Sequence, residues 1–146
     1  SRHVPLQQIH IYATDLDKQV IAKAKTGLYN EKSIEGVPED LKKKYFTKIG
    51  SSYKIADEIK ARVDFHQHNL LKDAYPTEYH LIVCRNVLIY FTEEAKDEVF
   101  RKYYHSLAKG GMLFIGSTEQ IMNYKEINYG NVSSTSKIIV YHGTVE

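Results

Sequence analysis

One cysteine, Cys84, is all the thiol chemistry the sequence offers. No internal disulfide can form, which fits a reducing cytoplasm. No apolar run approaches the roughly 20 residues of a membrane-spanning helix, and the stretch SRHVPLQQIH (1–10) has no apolar segment of the signal-peptide kind. The formal charge is only +2, too little to argue for a nucleic-acid partner, and the run Lys42-Lys43-Lys44 reads as a solvated helix face. There is no nucleophile elbow, no P-loop and no cysteine cluster. Asp64, His66 and His68 would share one face of a strand. Two imidazoles and a carboxylate at alternate positions are too loose a pattern for a metal, and none is expected. Tryptophan is absent and tyrosine plentiful at 12 residues; neither selects a function. What remains is a chain of 146 residues, 42% hydrophobic and 26% charged, ordinary for one globular domain with one core.

Residues 9–13 (IHIYA) predict a strand that Thr14 and Asp15 end. Asp17 is an N-cap for a helix to about Thr26, with Val20, Ile21 and Ala24 on one face and Gly27 as the stop. Pro38, Glu39 and Asp40 open a second helix to about Tyr45. Gly50-Ser51-Ser52 predicts a turn between two short strands. Residues 63–67 predict a strand, followed by a loop over 69–76. Residues 79–84 are apolar almost throughout, as in a parallel strand covered on both faces. Thr92, Glu93 and Glu94 begin a helix to about Ala108, and Gly110-Gly111 terminates it. Its expected buried stripe is Ala95, Val99, Tyr103 and Leu107, widened by Phe100 and Tyr104. Residues 112–115 and 137–142 predict strands, the second after the polar loop 133–136. The alternation argues for an α/β layered fold with a mainly parallel sheet.

The stretch VCRNVLIYF (83–91) places a guanidinium and an amide at the mouth of a core strand, where desolvation is costly unless something pairs with them. In parallel α/β sheets ligands bind at the carboxyl ends of the strands. Thr14-Asp15, His68-Asn69, Arg85-Asn86 and Gly116-Ser117 all fall where a strand has just ended. Arg85 and Asn86 are then polar because they face a crevice. Asp15 could accept hydrogen bonds from two vicinal ribose hydroxyls, or it could be an N-cap. Asn69 could read an adenine edge, or close a loop as an Asx-turn. Arg85 could hold a carboxylate bidentately, or form a structural salt bridge. Tyr90 could orient an oxygen or a sulfonium through its phenol, or be an ordinary half-buried aromatic.

The pieces ATDLD (13–17), AKTGLY (24–29), KKYF (43–46), HNLL (68–71), LIVCRNVLIYF (81–91) and GGMLFIGSTEQI (110–121) occur in an order that resembles the CheR-type chemoreceptor glutamate O-methyltransferases. CRNVLIYF is specific; ATDLD and the glycine-rich piece are weak alone. The resemblance spans roughly residues 9–141. It implies an α/β, Rossmann-like class I methyltransferase sheet that binds S-adenosyl-L-methionine (AdoMet) and releases S-adenosyl-L-homocysteine. By that resemblance Asp15, Asn69, Leu70, Arg85 and Asn86 bind the cofactor, and Arg85 and Tyr90 hold the incoming carboxylate or steady the methionine end. The family's small antiparallel β-subdomain, implicated in receptor docking, maps to about residues 46–63 and is short here.

Two parts of the family pattern have no counterpart in the sequence: the N-terminal helical domain, and a first strand with an acidic, glycine-containing loop for the methionine end. The chain is therefore expected to be part of a longer protein, with unpaired strand edges where the first strand belongs and a homodimer formed through that position. The implied activity is methylation of glutamates on methyl-accepting chemotaxis receptors in the cytoplasm, with neither nucleic acid nor membrane insertion involved. A degenerate AdoMet-binding docking module without catalysis is the alternative. Methylation of RNA or a small molecule is a third class that shares the fold; the CRNVLIYF stretch and the charge balance argue against RNA.

Overall fold

A computed structural model describes residues 4–85 and 87–116. Asn86, Ser117, the strand expected at 137–142 and the loop before it lie outside the described residues. The chain divides into two compact units, Ser1–Gln67 and His68–Glu146.

In the first unit β1 (Ile11–Asp15) runs parallel to β5 (Val63–Gln67), with Ile11 opposite Val63 and Asp15 opposite Gln67. The helix α1 (Lys18–Thr26) packs on both strands. Its ends follow from local chemistry. The Asp17 carboxylate accepts from the Gln19 N–H at 2.7 Å, satisfying an orphan donor of the first turn. Gly27 closes the helix in the left-handed region at φ 68, where a Cβ would come within 2.9 Å of Ile55 Cγ2. The middle of the unit is a three-stranded antiparallel sheet of β2 (Leu28–Asn30), β3 (Phe46–Ile49) and β4 (Ser52–Ile55), with β4 central. The expected hairpin is β3–β4. The third strand, β2, was not expected: three residues are too few to display a two-residue period. The short helices α2 (Glu31–Ile34) and α4 (Asp57–Lys60), and α3 (Glu39–Tyr45) after Pro38, complete the unit.

In the second unit β6 (Tyr79–Cys84) runs parallel to β7 (Leu107–Ile115). Between them come a 3-10 turn, Leu88–Tyr90, and α5 (Glu93–Ser106), capped by Thr92 Oγ1, which accepts from the Ala95 N–H at 3.2 Å. Ile82, Cys84, Leu88, Val99, Phe100, Tyr103, Leu113 and Ile115 form the core. Three expectations need correction here. Among the described residues the strand 79–84 is covered on one face only: Ile82 and Cys84 are buried, while Leu81 is 57% and Val83 38% exposed, beside Met112 at 45%. The helix stops at Ser106, because Leu107 is already extended. Gly110-Gly111 instead lies inside β7, where the pairing jumps from Tyr79–Leu107 to Leu81–Met112. Such a bulge needs glycine: Gly110 sits at φ 77, and a Cβ on Gly111 would lie 2.9 Å from the Ala108 carbonyl oxygen and 3.0 Å from that of Tyr79. Finally, the buried stripe of α5 is Val99, Phe100, Tyr103 and Ser106, and Tyr104 is exposed.

The result is a mixed α/β architecture with parallel and antiparallel sheets, as expected. Among the described residues, β1 and β6 each pair along one edge only.

Candidate functional site

Asp15 is the last residue of β1 and is half-buried. Its Oδ1 accepts from the Asp17 N–H at 2.8 Å. The capping role belongs to Asp17, so Asp15 is not the N-cap. Its second carboxylate oxygen has no hydrogen bond to a described residue. The turn that follows is fixed from β5, where Gln67 donates its Nε2 to the Leu16 carbonyl at 3.0 Å. A carboxylate held at one oxygen and open at the other, at the carboxyl end of a parallel strand, can accept from a pair of hydroxyls. The first unit also has a groove of about 320 Å³ lined by Lys25, Lys60, Val63, Asp64, Phe65 and His66. None of these was expected to bind the nucleoside.

The histidines around β5 are engaged locally. His10 Nε2 lies 3.3 Å from Asp64 Oδ2, and the His66 ring stacks on Tyr12 with centroids 4.5 Å apart. His68 belongs to the second unit and is buried against Tyr75. Among the described residues no group of three histidine, cysteine or acidic side chains could hold a metal ion.

In the second unit Asn69 and Leu70 sit in the loop after β5. Asn69 forms the Asx-turn that its position suggested. Its Oδ1 accepts from the N–H groups of Leu71 and Lys72, at 3.0 and 3.2 Å, which is an Asx-turn. Its backbone N–H donates to Asp73 Oδ2 at 2.8 Å. The oxygen is thus committed to the loop, and the amide Nδ2 is left to donate, the polarity that an adenine ring nitrogen needs.

Arg85 follows the last residue of β6 and is exposed, with its guanidinium carbon 5.9 Å above the centre of the Phe114 ring. Among the described residues it has no ion-pair partner, so the structural salt bridge finds no partner there. Tyr90, at the end of the 3-10 turn, is 88% exposed and so is not the half-buried aromatic of the plainer reading. Asn86 lies outside the described residues. Asp15 belongs to the first unit, and Asn69, Leu70, Arg85 and Tyr90 to the second.

Two residues that the sequence did not single out hydrogen-bond to carbonyls of this loop. The Tyr75 hydroxyl donates to the Leu70 carbonyl at 2.6 Å. The Lys102 ammonium, on α5, donates to the Leu71 carbonyl at 2.9 Å and the Leu70 carbonyl at 3.4 Å. Burial pushes the Tyr75 phenol well above its ordinary range; Cys84 and Glu98 add to the rise, and a hydrogen bond with Tyr103 opposes it. No sequence pattern links Lys102 to carbonyls some thirty positions away.

Comparison with known proteins gives a consistent picture. The sequence matches the family described as CheR methyltransferase, SAM binding domain, over residues 2–138. A chemotaxis protein methyltransferase of Listeria innocua is 41% identical over 122 residues, 84% of this chain and 47% of that protein. One from Listeria monocytogenes is 40% identical over the same length and shares. An uncharacterized 104.1 kDa protein of Rhodobacter capsulatus is 34% identical over 118 residues, 81% of this chain and 12% of that protein. The chain spans about half the length of the chemotaxis methyltransferases it matches.

Proposed function

Since this chain belongs to the CheR methyltransferase family and carries its SAM-binding domain, we propose that it methylates glutamate side chains of chemoreceptors in the cytoplasm, as part of a longer protein. S-adenosyl-L-methionine is the cofactor of the domain. The side chains fit it: a carboxylate suits vicinal hydroxyls, and an amide whose oxygen is used in a turn and whose nitrogen has no partner among the described residues suits a purine edge. Asp15 holds the ribose, Asn69 and Leu70 the adenine, and Arg85 and Asn86 the methionine end.

The cofactor, when bound, supplies a methyl group on a positively charged sulfur. The acceptor glutamate is already ionised at neutral pH, so no residue of this chain has to remove a proton. Transfer of that methyl would leave the acceptor as a neutral ester and the cofactor as its thioether, S-adenosyl-L-homocysteine, with Arg85 and Asn86 holding the methionine end. What the protein contributes is alignment. Arg85 takes the incoming carboxylate in a bidentate grip, and Tyr90 directs it. The observation that carries this substrate class is an exposed guanidinium at the carboxyl end of β6 with no ion-pair partner among the described residues. No helix among the described residues is long and apolar enough to cross a membrane, and the receptors are reached from solution. Taken alone, the chain pairs with a second copy through an open edge of β1 or β6; light scattering that finds only monomer counts against that.

The test combines binding with transfer. Calorimetric titration with S-adenosyl-L-homocysteine should show one site, weakened on the order of 10- to 100-fold by Asp15→Ala, the loss expected for hydrogen bonds to a charged acceptor. With radiolabelled cofactor and receptor helices, the full-length protein should leave label that base releases as methanol, the mark of a methyl ester. Arg85→Ala should abolish labelling while leaving thermal stability nearly unchanged. Base-stable label, or binding without any transfer, would overturn the assignment.

A further inference from the structure

We propose that Tyr75 and Lys102 are positioning residues for cofactor recognition: together they set the backbone of Asn69–Leu70 in the posture that reads the adenine. This rests on the assignment of Asn69 and Leu70 to the nucleoside given above.

The loop has few resources of its own. The Asn69 side chain and Asp73 tie residues 69–73 into a turn, but a turn fixes its own shape and not its attachment. Attachment comes from two side chains converging on one carbonyl. Leu70 O accepts from the Tyr75 hydroxyl at 2.6 Å and from the Lys102 ammonium at 3.4 Å, and Lys102 also reaches Leu71 O at 2.9 Å. Both donors are held in turn. The Tyr75 ring packs between His68 and Tyr103, each with its centroid 5.1 Å away, and His68 and Tyr103 are both buried. Lys102 lies 5.3 Å from the centre of the Tyr75 ring and 3.6 Å from Glu98 one helical turn back. The nucleoside loop is therefore fastened to α5, and through Tyr103 to the core of its unit.

The chemistry of these contacts points to positioning and not to contact with the cofactor. Both donors are spent on the Leu70 and Leu71 carbonyls, which orients the two peptide units that follow Leu70, while the Asn69 carbonyl is closed within the turn by the Lys72 and Asp73 N–H groups. With the turn of Asn69 closed on itself and the adjoining Leu70 carbonyl anchored, the Asn69 amide is ordered in advance, and a pre-set donor loses less on binding than one that must be ordered first.

The experiment compares two ligands on the intact chain. S-adenosyl-L-homocysteine carries adenine; S-inosyl-L-homocysteine carries hypoxanthine, which presents a different hydrogen-bonding edge on the same sugar and amino acid. Calorimetry should show that Tyr75→Phe and Lys102→Met each weaken the adenine ligand by about three- to tenfold, the worth of one neutral to weakly charge-assisted hydrogen bond, while the hypoxanthine ligand changes little, so that selectivity narrows. Lys102→Arg, which keeps a donor at the carbonyls, should restore selectivity. Tyr75→Phe keeps the ring and its packing; if it still unfolds the unit, the Lys102 pair carries the test alone. Equal weakening of both ligands, tracking only a lowered melting temperature, would reduce the two residues to a structural role and overturn the proposal. Unchanged binding in the variants would overturn it too, with the assignment of the adenine loop intact. A wild-type chain that binds neither ligand would overturn that assignment and the proposal with it.

Discussion

Among the described residues each unit contains one parallel strand pair, and the two pairs rest on unequal foundations. β6 and β7 share a core with Leu88 and the buried stripe of α5, Val99, Phe100, Tyr103 and Ser106. β1 and β5 have much less: among the described residues, Ala13, Ile21 and Ile34 are the buried apolar residues of their unit. What shapes the first unit is mostly polar and local, in the Asp17 cap, the Asn30 side chain accepting from the Ser33 N–H at 2.8 Å, and Gln67 closing the turn after β1. Apolar burial stabilises by roughly 25 cal/mol per Å², whereas a single net hydrogen bond contributes about 1 kcal/mol. The lesson is that the residues assigned to one cofactor stand on supports of different kinds. Asn69 and Leu70 are anchored to a packed helix, and Asp15 to a strand held by its ladder and its caps.

That contrast can be broken in three places. The largest effect should come from the second core. Ile82→Ala removes a side chain with no solvent exposure and should cost about 2–5 kcal/mol in urea-induced unfolding, while Leu81→Ala, on the open face of the same strand, should stay within about 0.5–1 kcal/mol. Similar costs at the two positions would mean that both faces are packed after all. Next, Asp17→Ala should cost about 1 kcal/mol, read as faster amide exchange confined to α1; protection that stays unchanged would show the first unit to be less dependent on its caps than described. The smallest effect concerns pH. Tyr75 holds its proton far more tightly folded than unfolded, where it ionises near 10.0. Its contribution is fully present below that pH. It is lost as pH climbs from there towards the raised folded value, because only the unfolded chain then gives up the proton. Tyr75→Phe should flatten this alkaline decline, measured as the difference between the two proteins since the remaining tyrosines titrate in both.

Much of the fold was legible because helix and hairpin ends are local events. Asp17 and Gly27 bracket α1, Thr92 opens α5, and Gly50 with its serines turns β3 into β4. What escaped depends on partners remote in the chain. β2 exists because Leu28 pairs with Lys54 and Asn30 with Ser52. Gly110-Gly111 carries the composition of a helix stop but serves a bulge, and only its pairing with β6 distinguishes the two. The apolar run of β6 suggested two covered faces, yet Leu81 and Val83 have no layer over them among the described residues. For the candidate site, the positions after strand ends marked Asp15, Asn69 and Arg85 as polar where a core was expected, but their roles came from the family resemblance. Tyr75 and Lys102 had no local mark at all, since the carbonyl they meet at is known only once the loop lies on α5.

The burial of Cys84 has a practical consequence. At 1% exposure and as the sole thiol in the chain, it sits where β6 meets α5, beside the Tyr103 hydroxyl at 3.7 Å. A thiol reagent in solution can reach it only when that half of the molecule opens. Its labelling rate is thus a built-in clock for opening, and ligand that tightens the loop above Tyr103 should slow it.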